Sequence, residues 1–276
     1  MIAAAANLEI GRSIIAGSIT TNYHEQGEGP PVLLIHGSGP GVSAWANWRL
    51  NIGALAQRNR VIAPDLVGFG YTERPQGATY GKELWVAHML DLMDALAIDQ
   101  ADMVGNSMGG GLAIAFALQH PERVRRLVLM GSVGISFPIT PGLDAVWGYE
   151  PSIGAMRGLL DIFAHDRGLV SDELAELRYK ASIKPGFQES FASMFPVPRQ
   201  DGVDALATDE LAIATLPHAC LIIHGREDRV IPPDNARRLF DLIPDAELHM
   251  FGHCGHWTQI ERVDRFNGLV AQFLHQ

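Results

Sequence analysis

Gly105-Asn106-Ser107-Met108-Gly109-Gly110 directly follows the strand-like run at residues 102–104 and opens a helix-like run that begins at Leu112. Glycines two residues before and two residues after the serine let a sharp turn form between a strand and a helix without Cβ clashes. Such a turn pushes the serine hydroxyl clear of the backbone, and the helix N-terminus behind it favours developing negative charge. The segment therefore predicts that Ser107 is a nucleophile on a strand–turn–helix unit. The alternative is a glycine-rich turn that a serine merely caps.

Short runs typical of buried strands lie on both sides of this unit, with helical patterns between them. The runs occupy residues 32–35, 61–63, 101–104, 124–130, 220–223 and 247–251. Because most are unbroken rather than alternating, they favour parallel strands that are covered on both faces. Helical spacing follows at residues 84–96, 234–242 and 262–274, and a strand pair at 13–15 and 19–23 comes first. The alternation of strands and helices predicts an α/β fold with a mostly parallel central sheet.

The rhythm of strands and helices breaks at residues 137–211. Helical stretches occur there at residues 156–163 and 172–183, and no run is typical of a strand. Prolines punctuate the segment at positions 138, 141, 151, 185, 196 and 198. A segment of roughly 75 residues would form only a small core of its own. We therefore predict a helical cap inserted into one structural domain, whose core consists of residues 1–136 and 212–276.

The composition excludes several classes of protein. The chain has 276 residues, of which 47% are hydrophobic and 19% are charged, as in ordinary globular proteins. Lys and Arg together number 21 against 31 Asp and Glu, so the formal net charge is −10. A nucleic-acid binder needs a basic footprint, and the arginine cluster at residues 123–126 is typical of a solvated turn before a strand. We therefore expect no nucleic-acid partner.

The cysteines, the first residues and the hydropathy pattern indicate the cellular compartment. Cys220 and Cys254 are too few for a disulfide framework or a four-ligand zinc site. Residues 1–7 lack the basic start of a secretory signal, and no uninterrupted apolar run reaches about 18 residues. We expect a reduced, cytoplasmic protein without a membrane span and without a bound metal.

A nucleophilic serine requires a base, and the base requires an acid that orients it. The elbow and the predicted sheet resemble the α/β-hydrolase fold, in which the chain order is serine, acid, histidine. The strand that ends at Ile223 runs into the loop at residues 224–232. Asp228 in this loop is the predicted acid, because a carboxylate just past a strand end lies on the catalytic edge of the sheet. Glu227 and Asp234 are its rivals.

His256 is the predicted base. It lies after the last strand and before the final helix, where the third member of such a triad belongs. His253, three residues earlier, is its competitor. Because a single histidine is most often structural, its position after both other members is the argument for His256. Cys254, between the two histidines, is predicted to be a small buried hydrophobe.

Backbone N–H groups must hold the negative oxygen that develops during acyl transfer. Two donors are predicted: Met108, directly after the nucleophile, and Ser38, in the loop at residues 36–41 that follows an early strand. Losing one such donor costs about 3–4 kcal/mol. His36 in the same loop is predicted to brace it, with a catalytic role as the alternative.

Three motifs together resemble the meta-cleavage product hydrolases, carbon–carbon bond hydrolases of the α/β-hydrolase superfamily. They are residues 105–110, residues 36–41 with Trp45-Ala46-Asn47-Trp48, and Cys254-Gly255-His256-Trp257. The resemblance covers nearly the whole chain, including the cap. Residues 144–149 and 186–191 are similar to the branch that acts on 2-hydroxymuconate semialdehyde and its alkyl ketone relatives. It implies cleavage of the C5–C6 bond of a 2-hydroxy-6-oxohexa-2,4-dienoate to 2-hydroxypenta-2,4-dienoate and a small acid, with no cofactor.

The implied substrate is a small anion, whereas the protein carries a net charge of −10, so a local cation must compensate. The resemblance implies that Arg178 on the cap holds the dienoate carboxylate, which its guanidinium fork matches. A helical ion pair with Asp172 is the alternative. The resemblance assigns the remaining polar contacts to Asn47, Asn106 and Trp257, although Asn106 alternatively only pins the elbow.

The far end of the implied site decides which group leaves as the acid. The resemblance places four side chains there: Val133, Phe163, Val203 and Ile231. Because Val133 and Ile231 are bulky, we expect hydrogen, methyl or ethyl at C6 to be preferred over phenyl. Plain packing in the core is the alternative role of these residues.

Two other functions are compatible with the same residues. A serine esterase or lactonase would share the fold and the triad. A ligand receptor built on the hydrolase fold would share the fold, and some such receptors keep all three triad residues, although an intact triad favours an enzyme. The resemblance also implies a homodimer or a larger homo-oligomer, with residues 1–22 as a packing arm.

Overall fold

The computed structural model describes residues 7–276. Residues 1–6, on which part of the expectations about a leader and a packing arm rests, lie outside the described residues. The strands are β1 (Arg12–Ala16), β2 (Ile19–Gln26), β3 (Pro31–Ile35), β4 (Arg60–Pro64), β5 (Ala101–Asn106), β6 (Val124–Met130), β7 (Cys220–Gly225) and β8 (Ala246–Phe251).

Helices connect these strands. They are α1 (Ala44–Trp48), α2 (Ile52–Leu55), α3 (Lys82–Ala95), α4 (Met108–Gln119), α5 (Pro141–Trp147), α6 (Ile153–Phe163), α7 (Asp172–Ser182), α8 (Phe187–Met194), α9 (Gln200–Leu206), α10 (Glu210–Ile213), α11 (Pro233–Leu242), α12 (Thr258–Glu261) and α13 (Val263–Leu274). The predicted strands and long helices lie within about four residues of these bounds. The shorter helices α1, α2, α5, α8, α9, α10 and α12 were not predicted, because four to eight residues carry too little periodicity.

Within residues 7–276, eight strands form one sheet in the order β1-β2-β4-β3-β5-β6-β7-β8. The pairs β1–β2 and β2–β4 are antiparallel, and β3 to β8 run parallel to their neighbours. This confirms the prediction of an α/β fold with a mostly parallel sheet. From β3 the chain passes to β4 on one side, and from β4 it crosses back to β5 on the other side of β3. Ligands bind at the carboxyl ends of strands where the strand order reverses in this way. Ile35 and Gly105 pair there, so the loops that follow them lie side by side.

Both faces of the sheet are covered by apolar side chains. Trp85 of α3, Phe116 of α4 and Leu239 of α11 belong to the larger core cluster. Trp48 and Phe266 belong to a second cluster, with ring centroids 6.3 Å apart. Alternate residues of β3 point into the two clusters, which explains why this strand is an unbroken apolar run.

All described elements between β6 and β7 are helical, as predicted for a cap. Ser152 and Ser171 accept the N–H groups of Ala155 and Leu174, so hydroxyl caps set the starts of α6 and α7. The helix α10 (Glu210–Ile213) contains residue 211, the predicted end of the cap. The division of the chain into residues 137–211 and a core therefore stays our proposal.

None of the helices among the described residues combines the length and the apolar character that crossing a membrane requires.

Candidate active site

The backbone at Ser107 has the strained geometry of an elbow. Its φ is 56° and its ψ is −115°, a conformation that non-glycine residues rarely adopt. A Cβ on Gly105 would lie 2.4 Å from the carbonyl oxygen of Gly109, and a Cβ on Gly109 would lie 2.3 Å from that of Ile35. The N–H of Ser107 donates to the carbonyl of Met130 at 2.8 Å. The glycines are therefore needed because backbone segments meet there.

Asp228 and His256 lie together in the arrangement predicted for the acid and the base. The Nδ1 atom of His256 lies 2.7 Å from Oδ2 of Asp228, and both side chains are buried. The other carboxylate oxygen, Oδ1, accepts the N–H groups of Val230 and Ile231 at 2.8 and 3.0 Å. Because that oxygen is held by the backbone, the carboxylate is fixed with Oδ2 towards the imidazole.

The surroundings of Asp228 keep its carboxylate charged. Burial by itself would raise the pKa of the carboxyl, but the charge of His256 and the contacts of His224 and His256 hold this pKa well below its usual range. The Nε2 atom of His224 lies 3.1 Å from Oδ2 and 3.1 Å from the carbonyl oxygen of Ile231. Since a carbonyl can only accept, Nε2 of His224 carries a proton, and its N–H dipole favours the carboxylate.

The rivals of these residues have other partners. Glu227 accepts the N–H of Cys254 at 2.9 Å, Asp234 is exposed and pairs with Arg237, and His253 is exposed. Cys254 is fully buried, and burial raises the pKa of its thiol to about 12, in keeping with the predicted apolar role.

The loop at residues 36–41 is fixed against the elbow. A Cβ on Gly37 would come within 3.0 Å of the Cβ of Ser107. The Nδ1 of His36 lies 2.7 Å from the carbonyl of Gly37, and its Nε2 accepts the N–H of Leu66 at 3.0 Å. Burial lowers the pKa of His36 to about 4, so the ring is neutral and braces the loop.

The two predicted oxyanion donors flank Ser107. Met108 is the first residue of α4, so its N–H has no acceptor within the helix. Ser38 lines the same cavity as Ser107. The hydroxyl of Ser38 accepts the indole N–H of Trp147 on α5 at 2.9 Å, so this bond joins the cap to the core. The two residues are 109 positions apart, and nothing in the sequence indicated their contact.

A cavity lies between the cap and the carboxyl ends of the strands. Its walls contain both Ser107 and His256. Of the other predicted site residues, the walls contain Ser38, Asn47, Asn106, Phe163, Arg178 and Trp257. The structure thus brings eight of the predicted residues to one cavity, whereas Asp228 lies behind His256.

Two amides in this cavity have unused hydrogen-bonding atoms. The Nδ2 of Asn106 donates to Oδ1 of Asn47 at 2.8 Å, and the same oxygen accepts the N–H of Gly37 at 3.3 Å. Among the described residues, Nδ2 of Asn47 and Oδ1 of Asn106 are buried without a partner. An unpaired buried polar atom is costly, and a ligand that supplies one acceptor and one donor would satisfy both atoms.

Arg178 is anchored at the edge of the cavity. Its Nη1 lies 3.1 Å from Oε1 of Glu9, and its Nη2 donates to the carbonyl of Gly41. The alternative partner Asp172 pairs with Arg157 instead. Glu9 precedes Arg178 by 169 residues, so no local pattern could have indicated this pair. The anchoring keeps the guanidinium in place on the cavity wall.

The predicted acyl end is only partly present on the cavity wall. Phe163 lines it, with its ring stacked 5.1 Å from that of Trp257. Val133, Val203 and Ile231 are instead almost fully buried in the larger core cluster. The structure does not place these three side chains on the walls of the cavity. Around Val133 the chain packs closely, since a Cβ on Gly111 would lie 2.6 Å from its Cγ2.

Met156 and Leu160 are cavity walls that sequence reasoning missed. With Phe163 they occupy positions i, i+4 and i+7 of α6, so they share one face of the helix. This periodicity was the available signal, but it does not distinguish a face that covers a core from one that covers a cavity.

Comparison with known proteins places the chain in a family. Residues 30–263 match the family model of the α/β hydrolase fold. The chain is 65% identical over 266 residues, 96% of its length and 94% of the other, to 2-hydroxymuconate semialdehyde hydrolase of Pseudomonas sp. (strain CF600). It is 61% identical over 268 residues, 97% of both lengths, to 2-hydroxy-6-oxo-2,4-heptadienoate hydrolase of Pseudomonas putida F1.

A solved structure agrees with these relatives. The meta-cleavage product hydrolase of Pseudomonas fluorescens IP01, in a serine-to-alanine mutant complexed with acetates, is 64% identical and superposes with a TM-score of 0.97. The match covers 97% of this chain and 98% of the other. The chain therefore belongs to the α/β hydrolases and, within them, to the meta-cleavage product hydrolases, enzymes that hydrolyse carbon–carbon bonds with a Ser-Asp-His triad.

Proposed function

We propose that this enzyme hydrolyses the C5–C6 bond of 2-hydroxy-6-oxohexa-2,4-dienoates, namely 2-hydroxymuconate semialdehyde and its small alkyl analogues. The products are 2-hydroxypenta-2,4-dienoate and a small carboxylic acid, as formed in the degradation of aromatic compounds. The observation that carries the proposal is one cavity that joins Ser107 and His256 to Arg178 and to the unpaired amide atoms of Asn47 and Asn106.

The polar side chains fit the carboxylate and the 2-hydroxy group of such a substrate. Nδ2 of Asn47 is an unpaired donor and Arg178 is a cation, and both suit the carboxylate. Oδ1 of Asn106 is an unpaired acceptor and suits the 2-hydroxyl. A simple acetate ester offers neither group, so this end of the cavity favours a hydroxydienoate over the substrate of an ordinary esterase.

The reaction begins with ketonisation. The 2-hydroxyl loses its proton and C5 gains one, which places a carbonyl at C2 and leaves the C5–C6 bond next to the C6 carbonyl. His256, held by Asp228, lies on the cavity wall and serves as the general acid and base that moves this proton. The diketo form can then accept a nucleophile at C6.

In the second stage His256 takes the proton of Ser107, and the serine oxygen adds to C6. The backbone N–H groups of Ser38 and Met108 hold the resulting oxyanion. When the carbonyl reforms, the C5–C6 bond breaks, its electron pair passes into the dienolate of the first product, and His256 returns its proton to the 2-oxygen of that product. Water, activated by His256, then releases the acid from Ser107. We favour this acyl-enzyme route because Ser107, His256 and Ser38 line one cavity and Met108 directly follows the serine.

The walls of the cavity support a small group at C6. The end of the cavity that we assign to the C6 group is closed by Phe163, Met156 and Leu160. The predicted residues Val133 and Ile231 are packed into the core. A phenyl group would have to displace well-packed side chains, and such overpacking costs about 1–3 kcal/mol. We therefore propose a preference for hydrogen, methyl or ethyl.

We also propose a cytoplasmic homodimer or larger homo-oligomer. Leu8, Ile10 and Ile15 are more than half exposed and lie on or before the edge strand β1, which supports a packing arm in this region. Both cysteines are unpaired and buried, which supports a reducing compartment. Light scattering at micromolar concentration measures the assembly, and a monomer would contradict it.

Loss of the yellow dienolate absorbance tests the proposed reaction. The protein is mixed with the ring-fission products of catechol, 3-methylcatechol and a biphenyl diol, in parallel with the Ser107→Ala variant. We expect fast bleaching with the first two, slow bleaching with the third, and a loss of about 10³-fold or more in the variant. No bleaching with any of the three, together with cleavage of p-nitrophenyl acetate, would identify an esterase instead. Faster turnover of the phenyl compound would contradict the proposed preference.

A further inference from the structure

Glu261 connects two parts of the chain that are far apart in sequence. It is the last residue of α12, and its Oε1 accepts the N–H of Gly255 at 2.8 Å. Its Oε2 accepts the N–H groups of His165 and Asp166 at 3.0 and 2.8 Å. Gly255 precedes His256, whereas the other two donors follow α6 of the cap. We call residues 252–257, which contain His256, the histidine loop. The carboxylate of Glu261 thus joins the cap to the histidine loop with three charge-assisted hydrogen bonds, which together we call the clasp.

The two backbones also touch directly at this point. The N–H of His256 donates to the carbonyl of Phe163 at 2.8 Å, and the two rings stack with centroids 5.8 Å apart. A Cβ on Gly255 would lie 2.6 Å from the same carbonyl oxygen and 2.8 Å from the backbone nitrogen of His165. Only glycine therefore allows the cap to approach the histidine loop this closely. The position of His256 depends on the cap as well as on Asp228.

We propose that Glu261 is a positioning residue that couples the seating of the cap to the placement of the catalytic base. The carboxylate contacts neither Ser107 nor the cavity wall, so it acts only through the backbones that it holds. With the clasp intact, the loop presents His256 to the cavity and α6 presents Phe163. Without it, the cap and the imidazole lose their common anchor. The inference rests on the proposed triad but applies to any substrate whose hydrolysis uses His256.

Glu261→Gln tests the clasp. A glutamine keeps one acceptor oxygen, and its NH₂ group faces backbone N–H groups with which it cannot bond, so one side of the clasp is lost. Glu210→Gln is the matched control, because Glu210 also pairs with groups of another element, Arg238 of α11, but lies outside the cavity walls. Two activities are measured with each variant: turnover of the dienolate and hydrolysis of p-nitrophenyl acetate, which needs His256 but not the carboxylate end of the cavity.

We expect kcat of Glu261→Gln to fall about tenfold for both substrates, equivalent to about 1.4 kcal/mol, with KM changed less than about threefold. The control should keep both activities. Unchanged kcat together with a lower melting temperature would overturn the proposal, because a merely structural role predicts that result. A fall in dienolate turnover alone would also overturn it, because Glu261 would then act on the cap and not on His256. If the wild-type enzyme did not bleach the dienolate, the ester would still decide the role of Glu261.

A second variant approaches the same contact from the other side. Gly255→Ala leaves Glu261 in place but pushes the cap backbone away from the histidine loop. We expect the same parallel loss of both activities. An alanine variant as active as the wild type would overturn the proposal, because the close approach would then have no effect on His256.

Discussion

Asp228→Asn should disable the enzyme by reversing the proton position on His256. Oδ1 of Asp228 accepts two backbone N–H groups, from Val230 and Ile231, so the amide oxygen of an asparagine must occupy that side. Its NH₂ group then faces Nδ1 of His256, 2.7 Å away in the wild type. Because the NH₂ group donates, Nδ1 must accept, and the ring proton moves to the other nitrogen. The lone pair that should take the proton of Ser107 is then absent.

The size of the effect follows from the same contact. A carboxylate about 4 Å from the centre of an imidazolium charge contributes about 4 kcal/mol at an effective dielectric constant near 20. This corresponds to roughly a thousandfold in rate, and the wrong tautomer adds to it. We therefore expect kcat to fall by about 10³- to 10⁴-fold, with a folded protein and a KM close to that of the wild type.

The assay is single-turnover decay of dienolate absorbance, with circular dichroism as the check on folding. Asp234→Asn is the matched control, because this rival carboxylate is exposed and pairs only with Arg237 among the described residues. Activity of Asp228→Asn within about tenfold of the wild type would refute the reasoning, and so would a comparable loss in the control.

Three further predictions use other parts of the site. Gly109→Ala places a Cβ 2.3 Å from a backbone oxygen, so it should lower the free energy of unfolding by about 1–3 kcal/mol and abolish activity. Gly158 has open space around it, so Gly158→Ala should raise the free energy of unfolding by about 0.5–1 kcal/mol. Urea titrations measure both changes. Arg178→Gln should raise KM for the dienolate about 10- to 100-fold while ester hydrolysis persists; equal effects of Arg157→Gln would contradict this. Burial lowers the pKa of His36 from 6.5 to about 4, so the unfolded chain binds more protons than the folded protein between these pH values. The stability that neutral His36 contributes is therefore lost as the pH falls from 6.5 to about 4. The stability advantage of the wild type over His36→Gln should therefore shrink by at most about 3 kcal/mol from pH 6.5 to 4, and a constant difference would be inconsistent with a neutral buried ring.

The sequence was most informative where the structure is local. The elbow at Ser107 could be predicted because its glycines, strand and helix are consecutive, and each glycine meets a backbone segment in the structure. Asp228 and His256 follow strands whose carboxyl ends share one edge of the sheet, so their order along the chain was enough to choose them. Their meeting at 2.7 Å agrees with that choice.

Contacts between distant segments could not be predicted in the same way. Glu9 holds Arg178, Trp147 holds Ser38, and Glu261 holds the cap to the histidine loop. Each pair joins side chains whose neighbours in sequence carry no sign of the other. Such contacts depend on how the cap is seated, which the periodicity of its helices does not specify.

The acyl end shows a related limit. The family resemblance implied that Val133 and Ile231 line the site, but both pack into the core, whereas Met156 and Leu160 form the wall. Hydrophobicity predicts that a side chain is covered. It does not predict whether protein or substrate covers it.

The central claim is that Ser107 serves hydrolysis of a carbon–carbon bond and not merely tautomerisation of the dienolate. Formate released from 2-hydroxymuconate semialdehyde, measured against the dienolate consumed, tests it directly. We predict that formate and dienolate loss are equimolar with the wild type and that formate release is abolished in Ser107→Ala. Bleaching without formate, or formate release that survives in the variant, would contradict the claim.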